Sequence, residues 1–292
     1  MPLDQDTPFR IPDYMTASYR RWAPPGYGGW LDAALHEGMT QRQRTDPLSM
    51  LSQQGAQVAR SRRNLTVKVE VGGRPVWIKR FRASGPIDRL LYAVRAGKAV
   101  YAWNAAMALL EQGFCTPRPL FGLRAAGRLR GADGIIGFED LAGHRSLREL
   151  LQDAEATPQR RDRLVRSLGE VLRRFHDRGF RHRDLRQGNI LAAELDGGWR
   201  FCLLDLNRLR VQPPLSTIQR LREVEKLNLP EDVLAAFFSA YMPERDSSET
   251  AAACRNRILY ADRLERLPMG RLLRKAWYYS WELRAFSRAR RP

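Results

Sequence analysis

The stretch His182-Arg183-Asp184-Leu185-Arg186-Gln187-Gly188-Asn189-Ile190-Leu191 carries the strongest information in this 292-residue chain. It places a carboxylate, Asp184, five positions before a carboxamide, Asn189. A second acid, Asp205, directly follows the apolar run Phe201–Leu204. Carboxylate and carboxamide oxygens suit Mg²⁺, a hard cation that takes few protein ligands and binds substrate phosphates as well. Asn189 and Asp205 carry such oxygen atoms.

The order of these three residues resembles that of protein-kinase-like enzymes. Their pattern is H-R-D-L-x-x-x-N, with four residues between Asp and Asn, followed later by an Asp at a strand end. Residues 185–188 fill those four positions here. In such enzymes the first Asp orients the attacking hydroxyl, while the Asn and second Asp hold Mg²⁺ on the ATP phosphates. The resemblance implies that Asp184 is the catalytic residue, that Asn189 and Asp205 are the metal ligands, and that ATP and Mg²⁺ are bound.

The composition fits a soluble protein with an ample core. No stretch approaches eighteen uninterrupted apolar residues, so no membrane-spanning helix is predicted. The start, residues 1–6, lacks the basic and apolar regions of a signal peptide. Cys115, Cys202 and Cys254 lack the spacing of metal ligands and are interpreted as buried thiols in a reducing compartment. A cytoplasmic protein is expected.

The charge is strongly positive. Lys and Arg together number 50 against 32 Asp and Glu, which gives a net charge of +18. A preference for Arg over Lys can reflect genome composition, but the sign of the charge indicates an anionic partner such as nucleic acid, anionic lipid or a phosphorylated glycan. No nucleic-acid-binding motif accompanies the charge, so a nucleic-acid partner is not predicted.

The first half of the chain has strand-like patterns. Residues 1–47 are rich in Pro, Gly and aromatic residues and are predicted to form an irregular N-terminal arm. Apolar and polar residues then alternate over 65–71, Gly72-Gly73 is a hairpin signal, and 75–81 is predicted to return as a second strand. That strand carries Lys79.

The second half is dominated by helical patterns. Residues 97–112 have helical periodicity, and two short strands are expected at 117–121 and 134–138. Ser146 and Glu149 form a capping-box pattern, and 160–178 is a long amphipathic helix. We therefore predict an arm at 1–47, a β-rich N-lobe with the hinge at 48–143, and a helical C-lobe at 144–292.

Several motifs together resemble the lipopolysaccharide core kinases, which phosphorylate heptose or Kdo sugars. The similarity covers roughly residues 55–225. It includes 77–81, 115–119, 138–143, 146–150, 182–191 and 204–208. The resemblance implies a two-lobed α+β protein-kinase-like fold and transfer of the ATP γ-phosphoryl group to a core sugar at the cytoplasmic face of the inner membrane.

The resemblance also assigns roles to further residues. Lys79 would contact the ATP phosphates, and the backbone of Glu139 and Leu141 would bind adenine. Taken singly, each candidate has a simpler explanation. An isolated Asp184 could be a surface acid, Asn189 a turn residue, and Lys79 a surface lysine with its apolar stem buried. His182 is expected to support the loop rather than to titrate.

Two features depart from the family pattern. Residues 80–110 contain no Glu to pair with Lys79; Ala102 stands where one is expected, and only Asp88 and Glu111 are acids nearby. No G-x-G-x-x-G precedes the first strand, where Gly55 and the basic residues 60–63 lie instead. A catalytically silent scaffold therefore remains an alternative.

The C-terminal residues 263–291 mix cationic and aromatic side chains. This mixture suits the interface of an anionic membrane, and it equally suits a helix whose aromatic residues pack on the helical lobe. A further alternative is a small-molecule phosphotransferase of the aminoglycoside type on the same fold. The expected partner of the kinase interpretation is the anionic glycolipid substrate, lipopolysaccharide core.

Overall fold

The structure is a computed structural model that describes residues 9–53, 56–60, 64–81, 97–126, 134–195, 197–212 and 215–265. The chain divides into two compact units. Unit 1 comprises Met1–His144 together with Cys202–Asn207, and unit 2 comprises Arg145–Phe201 together with Arg208–Pro292. Cys202–Asn207 thus lie in unit 1, although they follow most of the chain segment that was predicted as the helical lobe.

Unit 1 is built on an antiparallel sheet that has seven strands in the described part of the chain. The strands are β1 (Tyr19–Trp22), β2 (Tyr27–Asp32), β3 (Gln57–Arg60), β4 (Asn64–Val71), β5 (Arg74–Phe81), β6 (Pro119–Ala125) and β7 (Gly134–Glu139). Their order across the sheet is β1-β2-β6-β7-β5-β4-β3. The predicted hairpin of β4 and β5 is confirmed, as are the two strands expected after the helix.

The β4–β5 hairpin follows directly from its sequence. Val67, Val69 and Val71 are buried, while the intervening side chains face away from that core. Gly72 and Gly73 both have positive φ, 56° and 72°, which glycine adopts without steric cost in a two-residue turn. This hairpin fixes Lys79 opposite Thr66 in the ladder.

Helices cover both faces of this sheet. They are α1 (Ala33–Gly38), α2 (Gln41–Thr45) and α3 (Lys98–Glu111), with short 3₁₀ turns at Asp13–Ser18 and Pro47–Ser52. On one face Leu35, Met50 and Ile78 belong to one apolar core, and on the other Trp103 and Phe81 belong to a second. The helix predicted at 97–112 is confirmed as α3, with Gly113 at φ 75° directly beyond its end.

The N-terminal segment is more regular than predicted. Within 1–47, expected to be an irregular arm, β1 and β2 extend the sheet, and β2 pairs with β6 from Tyr27 opposite Ala125 to Leu31 opposite Phe121. The interpretation as an irregular arm was wrong because both strands are short, β2 contains two glycines, and they alternate too weakly to be recognised without their partner strand.

Unit 2 is mainly helical. Its helices are α4 (Leu147–Leu151), α5 (Pro158–Asp177), α6 (Thr217–Glu225), α7 (Glu231–Tyr241) and α8 (Ser247–Glu265). Its strands are β8 (Arg145–Ser146), β9 (Phe180–Arg181), β10 (Ile190–Leu195) and β12 (Arg210–Val211), with a 3₁₀ turn at Gln187–Asn189. Strand β11 (Gly198–Leu203) begins in unit 2 and ends in unit 1, and a 3₁₀ turn at Leu206–Arg208 leads back to unit 2. The strands form two small sheets, ordered β11-β10-β8 and β12-β9.

Helices α5 and α7 form the centre of unit 2. The apolar face predicted for residues 160–178 is buried, with Leu168, Leu172 and Phe175 fully covered. Gly169 allows close approach, since a Cβ there would lie 2.7 Å from the carbonyl oxygen of Phe237. The predicted Ser146–Glu149 capping box is also confirmed at the start of α4.

Two cysteines differ from their prediction as buried thiols. Cys115 and Cys202 form a disulfide with their Cα atoms 4.4 Å apart, whereas Cys254 is a free, buried cysteine. The two are 87 residues apart in sequence, and a backbone bridge between their segments brings them together. The spacing of the cysteines in the sequence does not predict this pairing.

No helix in the described ranges is both long and apolar enough to cross a membrane. Most of the cationic and aromatic segment at 263–291, as well as Asp88, Gly55 and residues 61–63, lies outside the described residues.

Candidate active site

The loop that carries Asp184 begins at a sharp chain reversal after α5. Gly179 has φ 78°, and a Cβ at this position would collide with the backbone oxygen of Gln212. The chain then forms β9, which pairs with β12, and enters the loop. Arg183, directly before Asp184, has φ 65°, a left-handed conformation that costs free energy in a non-glycine residue and is common at functional sites.

Asp184 and Asn189 are brought together within this loop. The Asn189 side-chain amide Nδ2 donates to the Asp184 carbonyl oxygen at 2.8 Å. The Asp184 N–H donates to Nδ1 of His182 at 3.3 Å, and His182 is fully buried. These bonds hold the loop backbone, and they involve neither the Asp184 carboxylate nor the Asn189 carboxamide oxygen. His182 thus has the supporting position expected of it.

The Asp184 carboxylate has one close cation. Arg186 Nε lies 3.0 Å from Asp184 Oδ1, and the arginine side chain is 70% exposed while the Asp184 side chain is 25% exposed. A pair this open to solvent is weak, so the arginine holds the Asp184 carboxylate only loosely.

A buried carboxylate that the sequence did not single out supports the same loop. Glu223, on α6, is completely buried and accepts the Arg183 N–H at 2.7 Å. Lys226 Nζ donates to Glu223 Oε1 at 2.7 Å and to the Arg183 carbonyl oxygen at 3.1 Å. Both backbone groups of the left-handed residue are therefore held by one ion pair.

The ionisation of Glu223 follows from these contacts. Burial alone would raise its pKa, but Lys226 and the hydrogen bond from Arg183 outweigh burial and hold the pKa of Glu223 below its usual range. The carboxylate is charged and able to accept from the loop. No sequence signal marks it, because an acid on a polar amphipathic helix normally faces solvent.

A separate group of predicted site residues lies in unit 1. Lys79 Nζ donates to Asp205 Oδ1 at 2.6 Å, and Lys79 also lies 5.5 Å from the Phe81 ring centroid. Lys79 is 16% exposed and Asp205 37%. Among the described residues this carboxylate is the ion-pair partner of Lys79, whereas the family pattern expected a Glu on the following helix.

The residues that could have supplied that Glu are occupied otherwise. Ala102 is buried in the core between α3 and the sheet, and Glu111 forms an ion pair with Arg10 at 3.1 Å. Trp103 Nε1 donates to the Arg10 carbonyl oxygen at 2.8 Å. The N-terminal segment thus contacts α3 through Arg10, and Glu111 is paired with that arginine rather than with Lys79.

Asp205 is held by the segment before it and by Asn207, two residues after it. The Leu203 N–H donates to the Cys115 carbonyl oxygen at 2.9 Å, and Thr116 Oγ1 donates to the Leu203 carbonyl oxygen at 2.7 Å. Asp205 has φ 54°, and Asn207 Nδ2 donates to its Oδ1. Arg183 and Asp205 are thus both non-glycine residues with a left-handed backbone; the first precedes a predicted site residue and the second is one.

Glu139 and Leu141 lie at the end of β7 and just beyond it. The Glu139 N–H donates to the Arg118 carbonyl oxygen at 3.0 Å, and its side chain accepts the Arg118 N–H at 2.8 Å. The Leu141 carbonyl oxygen accepts from the His144 N–H at 3.2 Å. Asp140, between them, accepts from Trp77 Nε1 at 2.7 Å.

A buried ion pair reinforces this segment. Arg118 Nη1 donates to Asp32 Oδ2 at 2.7 Å, and Asp32 is 3% exposed. Tyr19, whose pKa burial raises to about 12, donates its hydroxyl to the Pro119 carbonyl oxygen at 2.6 Å. Tyr19 and Asp32 of the N-terminal strands therefore hold the 118–119 segment, which in turn contacts Glu139. The spacing of these residues in the sequence does not indicate this connection.

Two of the predicted site residues carry oxygen atoms of the kind that Mg²⁺ binds. In unit 1 Asp205 supplies a partly exposed carboxylate, and in unit 2 Asn189 supplies a carboxamide oxygen. The described residues contain no group of three or more His, Cys, Asp or Glu side chains that could hold a metal ion by themselves. Mg²⁺ keeps several waters and binds substrate phosphates, so it needs few protein ligands.

Sequence comparison decides the family. The model of the lipopolysaccharide kinase (Kdo/WaaP) family matches residues 50–241, about two thirds of the chain. The chain belongs to the lipopolysaccharide kinase (Kdo/WaaP) family. A search of curated proteins gave no significant match.

Comparison with solved structures gives the same fold for this lipopolysaccharide kinase family member. One similar structure is described as WaaP in complex with acyl carrier protein. It is 20% identical, has a TM-score of 0.57, and the match covers 76% of this chain and 97% of that one. The two-lobed protein-kinase-like α+β fold expected from the sequence is confirmed.

Proposed function

We propose that this chain transfers the γ-phosphoryl group of ATP to a hydroxyl of a heptose or Kdo sugar in lipopolysaccharide core. Family membership gives the broader activity, that of a lipopolysaccharide kinase. The observation that carries the finer proposal is the 2.6 Å ion pair of Lys79 with Asp205, because it supplies a cation for phosphate oxygens beside a carboxylate for a metal.

Each residue has a defined task in the proposed reaction. Asp184 accepts the hydrogen bond of the acceptor hydroxyl, whose oxygen attacks the γ-phosphorus as the bond to the β–γ bridging oxygen breaks. The hydroxyl proton passes to Asp184, and ADP leaves. Lys79 binds phosphate oxygens, and the backbone of Glu139 and Leu141 binds adenine. Mg²⁺, held by Asp205 and Asn189, would neutralise phosphate charge.

Charge supports an anionic acceptor. The net charge of +18 favours a substrate that carries phosphates or carboxylates, as the lipopolysaccharide core does. We extend the proposal to peripheral contact with the anionic cytoplasmic face of the inner membrane, where such a glycolipid can be reached.

The first test is Mg²⁺-dependent ATP binding by calorimetry, with Asp205→Ala as the variant and Asp162→Ala as the control. Asp162 forms an exposed ion pair with Arg166 on α5 and has no part in the proposed site. The proposal requires binding by the wild type and the control and its loss in Asp205→Ala. Transfer of labelled phosphate to lipopolysaccharide core, lost in Asp184→Ala, then tests the acceptor.

One observation favours a second candidate. The partner of Lys79 is Asp205 rather than a Glu of α3, and this departure fits a catalytically silent scaffold that binds a glycolipid or protein. A folded protein that binds no ATP would support the scaffold and overturn the kinase. A small-molecule phosphotransferase would instead turn over soluble aminoglycoside-type acceptors and fail to sediment with anionic vesicles.

A further inference from the structure

Three residues of unit 1 have no task in the proposed phosphoryl transfer yet lie together. Cys115 and Cys202 form a disulfide whose Cα atoms are 4.4 Å apart, and the backbone of the two segments is bridged at the same residues. Nε2 of His144 lies 3.7 Å from the Cys202 sulfur. A disulfide with an imidazole beside one sulfur can take part in thiol–disulfide exchange as well as cross-link the chain.

His144 has a second polar contact. Its Nδ1 lies 3.3 Å from the Ala142 carbonyl oxygen, which can only accept a hydrogen bond. Both ring nitrogens therefore face acceptors, because the sulfur of a disulfide carries no proton. From this position Nε2 can pass a proton to the Cys202 sulfur when the sulfur–sulfur bond breaks, and this makes Cys202 the better leaving group.

The two sulfurs differ in access. Cys115 is partly exposed, whereas Cys202 is fully buried. An incoming thiolate can therefore reach Cys115, and attack there expels Cys202, the sulfur next to His144. Nucleophile access and leaving-group stabilisation thus favour the same direction of reaction.

We propose that Cys115, Cys202 and His144 form a thiol–disulfide exchange site whose substrate is a dithiol reductant. One thiolate of the reductant attacks Cys115 Sγ, the Cys115–Cys202 bond breaks, and Cys202 leaves as a thiolate that takes a proton through His144. The second thiol of the reductant then attacks the mixed disulfide. Cys115 is released as a thiol, and the reductant leaves as a disulfide.

The site is connected to the proposed metal ligand. The Leu203 N–H and carbonyl oxygen are bound by Cys115 and Thr116, directly beside the disulfide, and Asp205 follows two residues later. Reduction removes the covalent link between these segments and loosens the chain that carries Asp205. The coupling rests on the proposed function, whereas the exchange chemistry does not.

Cys254 provides an internal control. It is buried in unit 2, and burial raises the pKa of its thiol to about 12, so it remains a protonated, unreactive thiol. A Cys254→Ser variant keeps the exchange site intact and removes the remaining free cysteine.

The first experiment counts thiols by alkylation under denaturing conditions and mass spectrometry, on protein treated with oxidised glutathione. We expect one free thiol, Cys254, and three after dithiothreitol. In the native protein, we expect His144→Gln to slow reduction by dithiothreitol about tenfold, because the leaving thiolate loses its proton donor. Cys254→Ser should be reduced at the wild-type rate. Three free thiols after oxidation, or an unchanged rate in His144→Gln, would overturn the site.

The second experiment measures Mg²⁺–ATP affinity by calorimetry in the oxidised and reduced forms. We expect reduction to weaken binding by several-fold, and Cys115→Ser to show the weaker affinity regardless of dithiothreitol. Thermal melting by circular dichroism checks that the variant folds. Equal affinity in both forms overturns the coupling. If neither form binds ATP, the kinase proposal fails while the thiol counts and reduction rates still decide the exchange site.

Discussion

The buried carboxylate of Glu223 accepts the backbone N–H of Arg183, the residue directly before Asp184, at 2.7 Å. Arg183 is in the left-handed region at φ 65°, and its carbonyl oxygen is bound by Lys226. An ion pair inside the helical unit therefore compensates the cost of an unfavourable backbone conformation. The backbone directly before Asp184 is therefore held by a charge that is completely buried in the helical unit.

Replacement of this carboxylate should affect turnover more than substrate binding. In Glu223→Gln the uncharged amide accepts from Arg183 more weakly and loses the attraction of Lys226, so the loop shifts. We expect kcat to fall by about ten- to a hundredfold with little change in the KM for ATP, because small displacements of a reacting group are costly. Steady-state kinetics measures this split, and Glu223→Asp should recover part of kcat.

Glu225 provides the matched control. It lies on the same helix, is also buried and forms an ion pair with Arg257, away from the Asp184 loop. Glu225→Gln should lower stability by a similar amount and leave kcat close to that of the wild type. Equal losses of kcat in the two variants would indicate general destabilisation rather than positioning.

Lys79 should matter for catalysis and little for folding. Its ion pair with Asp205 is partly exposed, and pairs of this kind contribute about 1 kcal/mol or less to stability. Lys79→Met should therefore keep the melting temperature within a few degrees of the wild type. We expect kcat/KM to fall by about a hundred- to a thousandfold, because a preorganised cation for the phosphates is lost.

Lys68 tests whether that effect is specific. It lies on the neighbouring strand β4, forms an ion pair with Asp140 at 2.9 Å and has been assigned no phosphate contact. Lys68→Met removes an equivalent charge from the same sheet. A loss of kcat/KM as large as that of Lys79→Met would contradict the assignment of Lys79 and indicate a general effect of charge.

The sequence predicted those parts of the fold that depend on local pattern. The β4–β5 hairpin follows from alternation and two glycines, and α5 follows from a long apolar face. Strands β1 and β2 were missed because each is short and is stabilised mainly by its neighbour in the sheet. These strands are stabilised by tertiary contacts, which the periodicity of the sequence does not indicate.

The candidate site shows the same division. The motif spacing identified Asp184 and Asn189, and the structure joins them by a hydrogen bond. The spacing gave no indication of Glu223 or of the disulfide between Cys115 and Cys202, because their contacts span 40 and 87 residues. Long-range contacts of single residues depend on how the elements pack, and the local sequence around them is unremarkable.

His176 should make stability sensitive to acid. It is fully buried on α5, with Nδ1 2.5 Å from the Tyr241 hydroxyl, and burial lowers its pKa to about 3. The unfolded chain binds a proton at its ordinary pKa of about 6.5, so the folded state binds fewer protons between pH 6.5 and 3. Stability from this residue is present above pH 6.5 and is lost as pH falls through that window.

Urea unfolding as a function of pH measures this effect. For the wild type we expect a decline below pH 6.5 that reaches several kcal/mol in total, at about 1.4 kcal/mol for each unit of pKa difference. His176→Asn should be less stable at pH 7 and have a flatter slope between pH 6.5 and 4. An unchanged slope in this variant would show that other groups cause the acid sensitivity.

The ion pair of Asp32 with Arg118 should be among the costliest to break. Asp32 is 3% exposed, accepts from Arg118 at 2.7 Å and also accepts the Leu35 N–H at 2.8 Å as the cap of α1. Asp32→Asn keeps a good capping residue but removes the charge, so the loss reports mainly on the ion pair. We expect a cost of about 3 kcal/mol in the free energy of unfolding, because the arginine is left without its buried counter-charge.

Arg118 also binds Glu139, so the same variant should weaken ATP binding if the backbone there contacts adenine. We expect Asp32→Asn to raise the KM for ATP by several-fold with kcat nearly unchanged, the reverse of the pattern expected for Glu223→Gln. Asp162→Asn, which breaks an exposed pair, should cost less than about 0.5 kcal/mol and leave both constants unchanged. A fall in kcat without a rise in the KM for ATP would show that Asp32 does not support adenine binding. A residue that supports only the adenine-binding segment should change nucleotide affinity before it changes kcat.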